Sequence, residues 1–405
     1  MHKLKYVLII LSLSMLVVLE PFYLGPFKFA ILWKLALLYL GVSVLFLKKS
    51  IIIDKISIIA FLLTLFCFIV YADNIDYFEQ TKSAVYFIFI PFLIVLLQNI
   101  KLNRNIQDKI ILCVAISIVI VCIPYYFGIL ESYGTRFDLE TFGLNSYAFL
   151  GPFQTTHTAS VLLAVSSSIL LFSFFNLRGD YFYRILFIIL FFISIFFVYK
   201  TYVRTGYLVC VLSNLYIVYK LKFKDFGFKN KLFTIIIFIF VFFMFEYINQ
   251  SDVVFSKRIA DQYTDNSEIG WQTIGSGRLL FAFVNINHWL EVSLLQKLFG
   301  IGYVESVNYM YNEIGQRIIS HNLFLDLLIQ HGVIGLLLYL IVVFLIFKSI
   351  RNSMNFGCPP LYFSIYLSYI TYQFVQGSNI FLFDVLLVLS YLSSKEFLNK
   401  NVTIK

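Results

Sequence analysis

The sequence predicts an all-α polytopic membrane protein of about twelve transmembrane helices with one large, partly helical outer loop. Three observations carry this. Of the 405 residues, 60% are hydrophobic and only 13% are charged, and the mean hydropathy is +0.86. A soluble domain is nearer to half apolar and a quarter charged. The apolar residues fall in long runs, and the charges between the runs segregate by sign.

A helix needs about 20 apolar residues to cross about 30 Å of hydrocarbon. The candidate spans are 4–19, 27–47, 51–71, 82–98, 109–128, 153–175, 182–199, 202–221, 231–247, 322–348, 360–376 and 379–394. The first, in "MHKLKYVLIILSLSMLVVLE", has the basic start and apolar core of a signal peptide. No small-residue cleavage site follows it, so it reads as an uncleaved span.

The connections orient the spans. One side carries Lys3, Lys5, Lys48, Lys49, Lys55, Lys101, Arg104, Lys109, Arg178, Arg184, Lys348 and Arg351. It also carries the run Lys220, Lys222, Lys224, Lys229 and Lys231, and Lys395, Lys400 and Lys405 of the tail. These are the majority of the 31 basic residues, against only Asp54, Asp108, Asp180, Asp225 and Glu396 among the 22 acids. The positive-inside rule then makes both termini cytoplasmic. It also explains the net charge of +9 without nucleic acid. The organisation is spans 1–9 over 1–247, an external loop over 248–320, and spans 10–12 with the tail over 321–405. A loop of that length in a compact protein is usually functional.

Cys67, Cys113, Cys122 and Cys210 lie in apolar runs and Cys358 in a short inner loop. With no CxxC or Cys/His cluster, neither a disulfide framework nor a metal site is expected. No internal repeat is visible, which argues against an inverted-repeat transporter, the rival from another functional class.

The residues that stand out are cations on the side the charge rule leaves poor in them. Arg204 lies in "KTYVRTGYLV", Arg278 in "GSGRLLFAF", Arg136 in "ESYGTRF", and Arg317 three residues before Ser320. Guanidinium groups bind phosphate oxygens through paired, charge-assisted hydrogen bonds. Several at one outer mouth suit an anionic lipid headgroup, above all a diphosphate. Arg204, at the end of a span, also reads as a snorkelling side chain, but charge near a span is functional by default. Lys34 divides evenly between the two. Taken alone, Arg136 and Arg317 read as solvated loop charges, whereas the glycines before Arg278 let an anion approach backbone N–H groups.

Of the five histidines, His2 is terminal, His288 sits beside Trp289 and reads at least equally as packing, and His331 reads as a packed residue inside a span. His157 and His321 stand at outer ends of spans. His321 is the stronger candidate. Ser320 is placed to cap the following helix, and the positive end of that helix favours a neutral imidazole and an adjacent phosphate. A neutral histidine suits an acceptor hydroxyl that must lose its proton.

"SHNLFLDLLIQHGVIG" resembles the signature of the O-antigen ligase/polymerase family, in which a His-Asn pair opens a helix carrying Gly-x-x-Gly. "GSGRLLFAFVNINHWLEVSLLQKLFGIGYVES" is similar to the family's Ser-Gly-Arg helix and Gly-x-Gly, and "KTYVRTGYLV" to its Thr-x-x-Arg element. "TRF…GPFQTTHTAS" is similar to its Arg…Gly-x-Phe…Pro-Asn block. The resemblance runs from about Arg136 to Gly335. Thr156-His157 replaces Pro-Asn, Val203-Arg204-Thr205-Gly206 replaces Ser-Arg-Gly, and Phe281 or Ala282 stands where a Trp is usual.

The resemblance implies a GT-C-like glycosyltransferase of polysaccharide or lipopolysaccharide biosynthesis, working at the periplasmic face of the inner membrane without metal or other cofactor. Its substrates would be undecaprenyl-diphosphate-linked glycans. A chain-length regulator and a flippase are candidate partners beside the membrane lipids, and nucleic acid is not one. His321 would be the base or the acceptor-orienting residue. Arg204 and Arg278 would hold the diphosphate, with Arg136, Asn322, Arg317 and His157 at the substrate. An O-antigen polymerase is the favoured activity and a ligase to lipid A core the alternative.

Overall fold

The computed structural model describes residues 51–71, 90–100, 102–132, 147–177, 180–223, 277–315, 317–377 and 380–402, with single residues between 23 and 46. The described chain is helical apart from one antiparallel ladder of Tyr23–Leu24 with Phe27–Lys28. The helices are α1 (Lys55–Tyr71), α2 (Ile90–Ile100), α3 (Arg104–Tyr126), α4 (Thr156–Asn176), α5 (Tyr181–Lys200) and α6 (Arg204–Val218). They continue with α7 (Arg278–Glu291), α8 (Leu294–Phe299), α9 (Tyr303–Ile314), α10 (Leu323–Met354), α11 (Leu361–Val375) and α12 (Phe381–Val402).

Among the described residues, α3, α4, α5 and α10 are long and apolar enough to cross a membrane. Each coincides with an expected span, and α1, α6, α11 and α12 fall on four more. The loop expected over 248–320 contains α7, α8 and α9, so it is partly helical as anticipated. Expected spans 4–19 and 231–247 and residues 248–276 lie outside the described residues.

The chain forms two compact units: Met1–Ala36 with Lys109–Ile269, and Leu37–Asp108 with Gly270–Lys405. In the first, α4 is the central helix, buried almost without interruption from Ala159 to Phe172. Its small residues permit this, since Ala and Ser let neighbouring helices approach closely. Ser194 of α5 donates to Leu163 O at 2.7 Å, and Asn214 Nδ2 of α6 donates to Ser167 Oγ at 2.8 Å. Gly206 lies so close to Ser160 that a Cβ would overlap its side chain. α5 turns Phe187, Leu190, Ser194 and Phe197 inward at helical spacing and leaves Phe182, Ile185, Ile189 and Phe192 exposed. That is the pattern of a helix with one face to lipid and one to protein.

In the second unit, α12 is the most enclosed element and α10 the longest. α10 buries Leu323, Leu327, His331, Gly335, Tyr339, Val342, Ile346 and Ile350, a series at spacings of three and four. Polar side chains tie one end of the unit. Lys395 pairs with Asp54, which also accepts from Tyr391 Oη at 2.6 Å. Tyr362 Oη donates to Asp108 at 2.5 Å and accepts from Arg104 Nε at 3.2 Å. Asp54 with Lys395, and Arg104 with Asp108, thus pair among the residues that the charge count puts on one side.

α10 departs from the uninterrupted span expected over 322–348. Gly332 has φ +65° and ψ −171°, so the helix breaks there. The break strands carbonyls that a regular helix would satisfy four residues on. Ile301 N–H donates to Ile329 O at 3.0 Å, and Gly302 N–H donates to Gln330 O at 3.1 Å. Backbone from the loop thus replaces the missing helical bonds, which is what makes a break tolerable in an apolar setting. Glycine is required on both sides of the contact. A Cβ on Gly300 would strike the Gln330 carbonyl, and one on Gly332 would strike the Leu298 carbonyl. The Gly-x-Gly of the loop and the first glycine of Gly-x-x-Gly are therefore two halves of one clasp.

Candidate active site

The start of α10 is built by short polar side chains. Asn322 is its N-cap, with Oδ1 accepting from Phe324 N at 3.0 Å and Leu325 N at 3.2 Å. The expectation that Ser320 caps the helix is corrected here. Ser320 lies two residues further out, and its backbone N–H and hydroxyl donate to Asp326 Oδ1 at 2.9 and 2.7 Å. Ser320 and Asp326 are both buried, so this bracket closes over the turn between them. His321 sits at the apex with φ +56°, a left-handed conformation uncommon for a residue with a Cβ. Such strain persists only where surrounding contacts over-determine it, and the Ser320–Asp326 and Asn322 bonds supply them.

Side chains of two elements converge on the His321 ring. Arg278 opens α7 after Gly277, whose φ of +79° makes the left-handed cap. The Phe281 ring, one turn into α7, lies 6.2 Å from the imidazole. From the connection between α11 and α12 comes Gln376, which is buried. Its Oε1 accepts from Arg278 Nη2 at 2.7 Å, and its Nε2 lies 3.4 Å from His321 Nδ1. Burial first, and the Arg278 charge second, pull the His321 pKa down to about 4. Desolvation and the guanidinium thus hold the imidazole neutral at pH 7.

Arg317 is exposed and lies with its guanidinium 5.5 Å from the Tyr311 ring, on the approach to Ser320. The second unit therefore brings together Arg278, His321 and Asn322, with Arg317 on the strand of chain leading into them. In the first unit, Arg204 is the opening residue of α6 and half-buried, after a Val203 cap with no side-chain bond and a left-handed Tyr202 at φ +52°. His157 is in the first turn of α4, half-buried. The contact of Gly206 with Ser160 puts the starts of α6 and α4 together, so Arg204 and His157 share one end of that unit. Arg136 and Lys34 lie outside the described residues.

Of the other histidines, His288 stacks on Tyr309 with ring centroids 3.6 Å apart, and burial lowers its pKa. His331 is buried beside the break, its Cβ against Gly335. Both are packed residues, in agreement with the bland reading.

Sequence reasoning missed Gln376 and Asp326. The signal for Gln376 was present in "YQFVQGSN", a Gln-Gly pair in the short connection between two spans. Gly377 has φ +64°, and a Cβ there would overlap the backbone of Asn322 and Leu323. That glycine lets the connection press against the start of α10. Asp326 was an acid inside an otherwise apolar helix, and such a residue needs a partner.

No curated protein matches the chain. Residues 189–340 match the family model described as O-antigen ligase. The matched stretch runs from within α5 to within α10, and so includes Arg204, Arg278, Arg317, His321 and Asn322 but neither His157 nor Gln376. Residues 189–340 thus resemble an O-antigen ligase family domain, which is consistent with a member of the O-antigen ligase/polymerase family.

Proposed function

We propose that the protein is a metal-independent membrane glycosyltransferase that polymerises undecaprenyl-diphosphate-linked repeat units at the outer face of the cytoplasmic membrane. The observation that carries this reading is the Arg278–Gln376–His321 cluster at the mouth of α10, next to the clasp that ties the loop to the broken helix. Two of its three members lie in the stretch that matches the family.

In the proposed reaction the acceptor hydroxyl oxygen forms a bond to the anomeric carbon of the donor glycan. The bond from that carbon to the diphosphate breaks, and the diphosphate leaves with the bonding pair. Arg278 and Arg204 hold the diphosphate through planar N–H groups that no ammonium reproduces. Arg136, Arg317, Asn322 and His157 are the further substrate-binding residues that the family resemblance implies. His321 engages the acceptor or the oxygens around it as a neutral group. The leaving anion is stable, so little general-acid help is needed.

Polymerase is favoured over ligase because the His-Asn block stays close to the general family pattern. The ligase reading is kept because ligase is the description of the family that matches. Purified protein in lipid vesicles, given labelled lipid-linked repeats alone, should make a ladder of longer lipid-linked chains. Transfer that waits for added lipid A core would establish the ligase instead. Movement of substrate between leaflets with no new bond would end the transferase reading.

A further inference from the structure

We propose that Gln376 is a positioning residue that holds His321 as the Nε2–H tautomer, so that His321 meets its substrate as a hydrogen-bond donor and not as a base. The argument counts donors and acceptors. The guanidinium of Arg278 has N–H groups and no acceptor. Its Nη2 lies 2.7 Å from the Gln376 amide, so the amide turns its oxygen there. That leaves the NH2 group, which only donates, 3.4 Å from His321 Nδ1. A nitrogen that receives an N–H must present its lone pair. Neutral imidazole carries one proton, so that proton sits on Nε2. Reversing the amide would set N–H against N–H at the arginine.

The same relay opposes protonation. An imidazolium would place Nδ1–H against the amide NH2, which adds to the burial and the Arg278 charge that already keep the ring neutral. The arrangement is held by backbone. Gly377 lets the connection close onto Asn322 and Leu323 with no room for a Cβ, and the Ser320–Asp326 bracket fixes the turn that carries the ring.

The consequence for chemistry rests on the transferase reading. An N–H donor beside arginine suits an anionic oxygen, so His321 belongs with the groups that hold phosphate or orient the acceptor oxygen. The acceptor proton then passes to an oxygen of the departing diphosphate or to water, as the carbon–oxygen bond to the acceptor forms and that to the diphosphate breaks.

The tautomer is tested by 15N NMR of the full-length protein, labelled at histidine, in lipid nanodiscs. The His321 signals are those lost in His321→Gln. They should show an unprotonated Nδ1 and a protonated Nε2. Gln376→Met, which removes both hydrogen bonds, should mix the tautomers. Gln376→Glu, whose carboxylate accepts from both neighbours, should move the proton to Nδ1. The other four histidines should keep their signals, which reports that each variant is folded. A protonated Nδ1 in the parent protein, or His321 signals that neither substitution moves, overturns the proposal.

A second arm reads the chemistry. His321→Gln keeps an N–H donor near the Nε2 position and should retain transfer within about tenfold, while His321→Ala should lose about 10²–10³-fold, the usual cost of a donor to a developing anion. Equal loss in the two variants overturns the donor role. The spectra read the tautomer whether or not transfer occurs, so absence of any transfer by the parent protein counts against the proposed function and leaves the tautomer standing.

Discussion

The helices α4–α6 and the mouth of α10 use polar residues differently: the first pack through small residues with bonds between adjacent helices, Ser194 to Leu163 O and Asn214 to Ser167, while the second wires separate segments together. In α4 the hydroxyls of Ser166, Ser167 and Ser168 return to carbonyls of their own helix, at 2.7 to 2.9 Å. Small size is what matters there, since it lets α5 and α6 close on the central helix. At the mouth of α10 the polar groups reach across elements, from α7 to the α11–α12 connection to the His321 turn. The backbone at the mouth carries His321 at φ +56°, and α10 breaks further in at Gly332, φ +65°; in the first unit the turn before α6 carries Tyr202 at φ +52°. Strained backbone held by a cross-element polar relay is the mark of a site built to face a ligand.

The sharpest way to test this contrast is to break the mouth without breaking the fold. Arg278→Lys keeps the charge and loses the planar fork that reaches Gln376. Transfer should fall about 10²-fold or more while the protein inserts at its normal level. Near-normal product would place Arg278 in a structural role only.

The clasp should be the most stability-sensitive part of the second unit. Gly332→Ala forces a Cβ into backbone with φ +65° and ψ −171°, a region essentially restricted to glycine that costs roughly 1–3 kcal/mol, and drives it into the Leu298 carbonyl. Gly300→Ala should behave alike. Both should lower thermal unfolding temperatures in detergent more than any alanine substitution on the exposed face of α5, such as Ile189→Ala. Equal effects would mean that the clasp adds nothing.

In the scaffold the corresponding probe is Gly206→Ala. The overlap with Ser160 is with a side chain, so about 1–3 kcal/mol is expected. Combining it with Ser160→Gly should recover most of the loss. A double variant no more stable than Gly206→Ala would show that the helices are not held apart at that contact.

The His321 titration separates the two regions by pH. Its folded pKa, near 4, is below the ordinary 6.5, so protonation opposes the native arrangement. The contribution to stability is complete above pH 6.5 and is lost as pH falls from there toward 4. Unfolding midpoints of the parent protein and His321→Gln should diverge most above pH 6.5 and converge on acidification. A constant gap would assign the effect to packing.

The smallest effect is expected at the cap. Asn322→Ala should cost about 1 kcal/mol and Asn322→Asp much less, because the aspartate oxygen still accepts from the first turn. An aspartate variant as unstable as the alanine variant would show that the amide nitrogen also matters.

Hydropathy, charge placement and motif spacing determined most of the helix inventory. Apart from α7, α8 and α9 in the loop, the described helices fall where apolar runs occur, because an unpaired backbone cannot be left in hydrocarbon. Sequence also marked Arg278 and His321, since charge and imidazole are conspicuous among apolar residues. What it could not supply was the wiring. Ser320 and Asn322 are equally plausible caps by type, and only the folded chain shows that Asn322 takes the helix end while Asp326 takes Ser320. Gln376 is 55 residues from His321 and belongs to no local pattern. The break at Gly332 was decided by backbone bonds from Ile301 and Gly302. Local sequence fixes what a segment can do alone, and a glycine within a helix can equally be a packing notch or a break. Which of these it becomes depends on whether a distant backbone arrives to satisfy the carbonyls the break exposes, and that is a property of the folded chain.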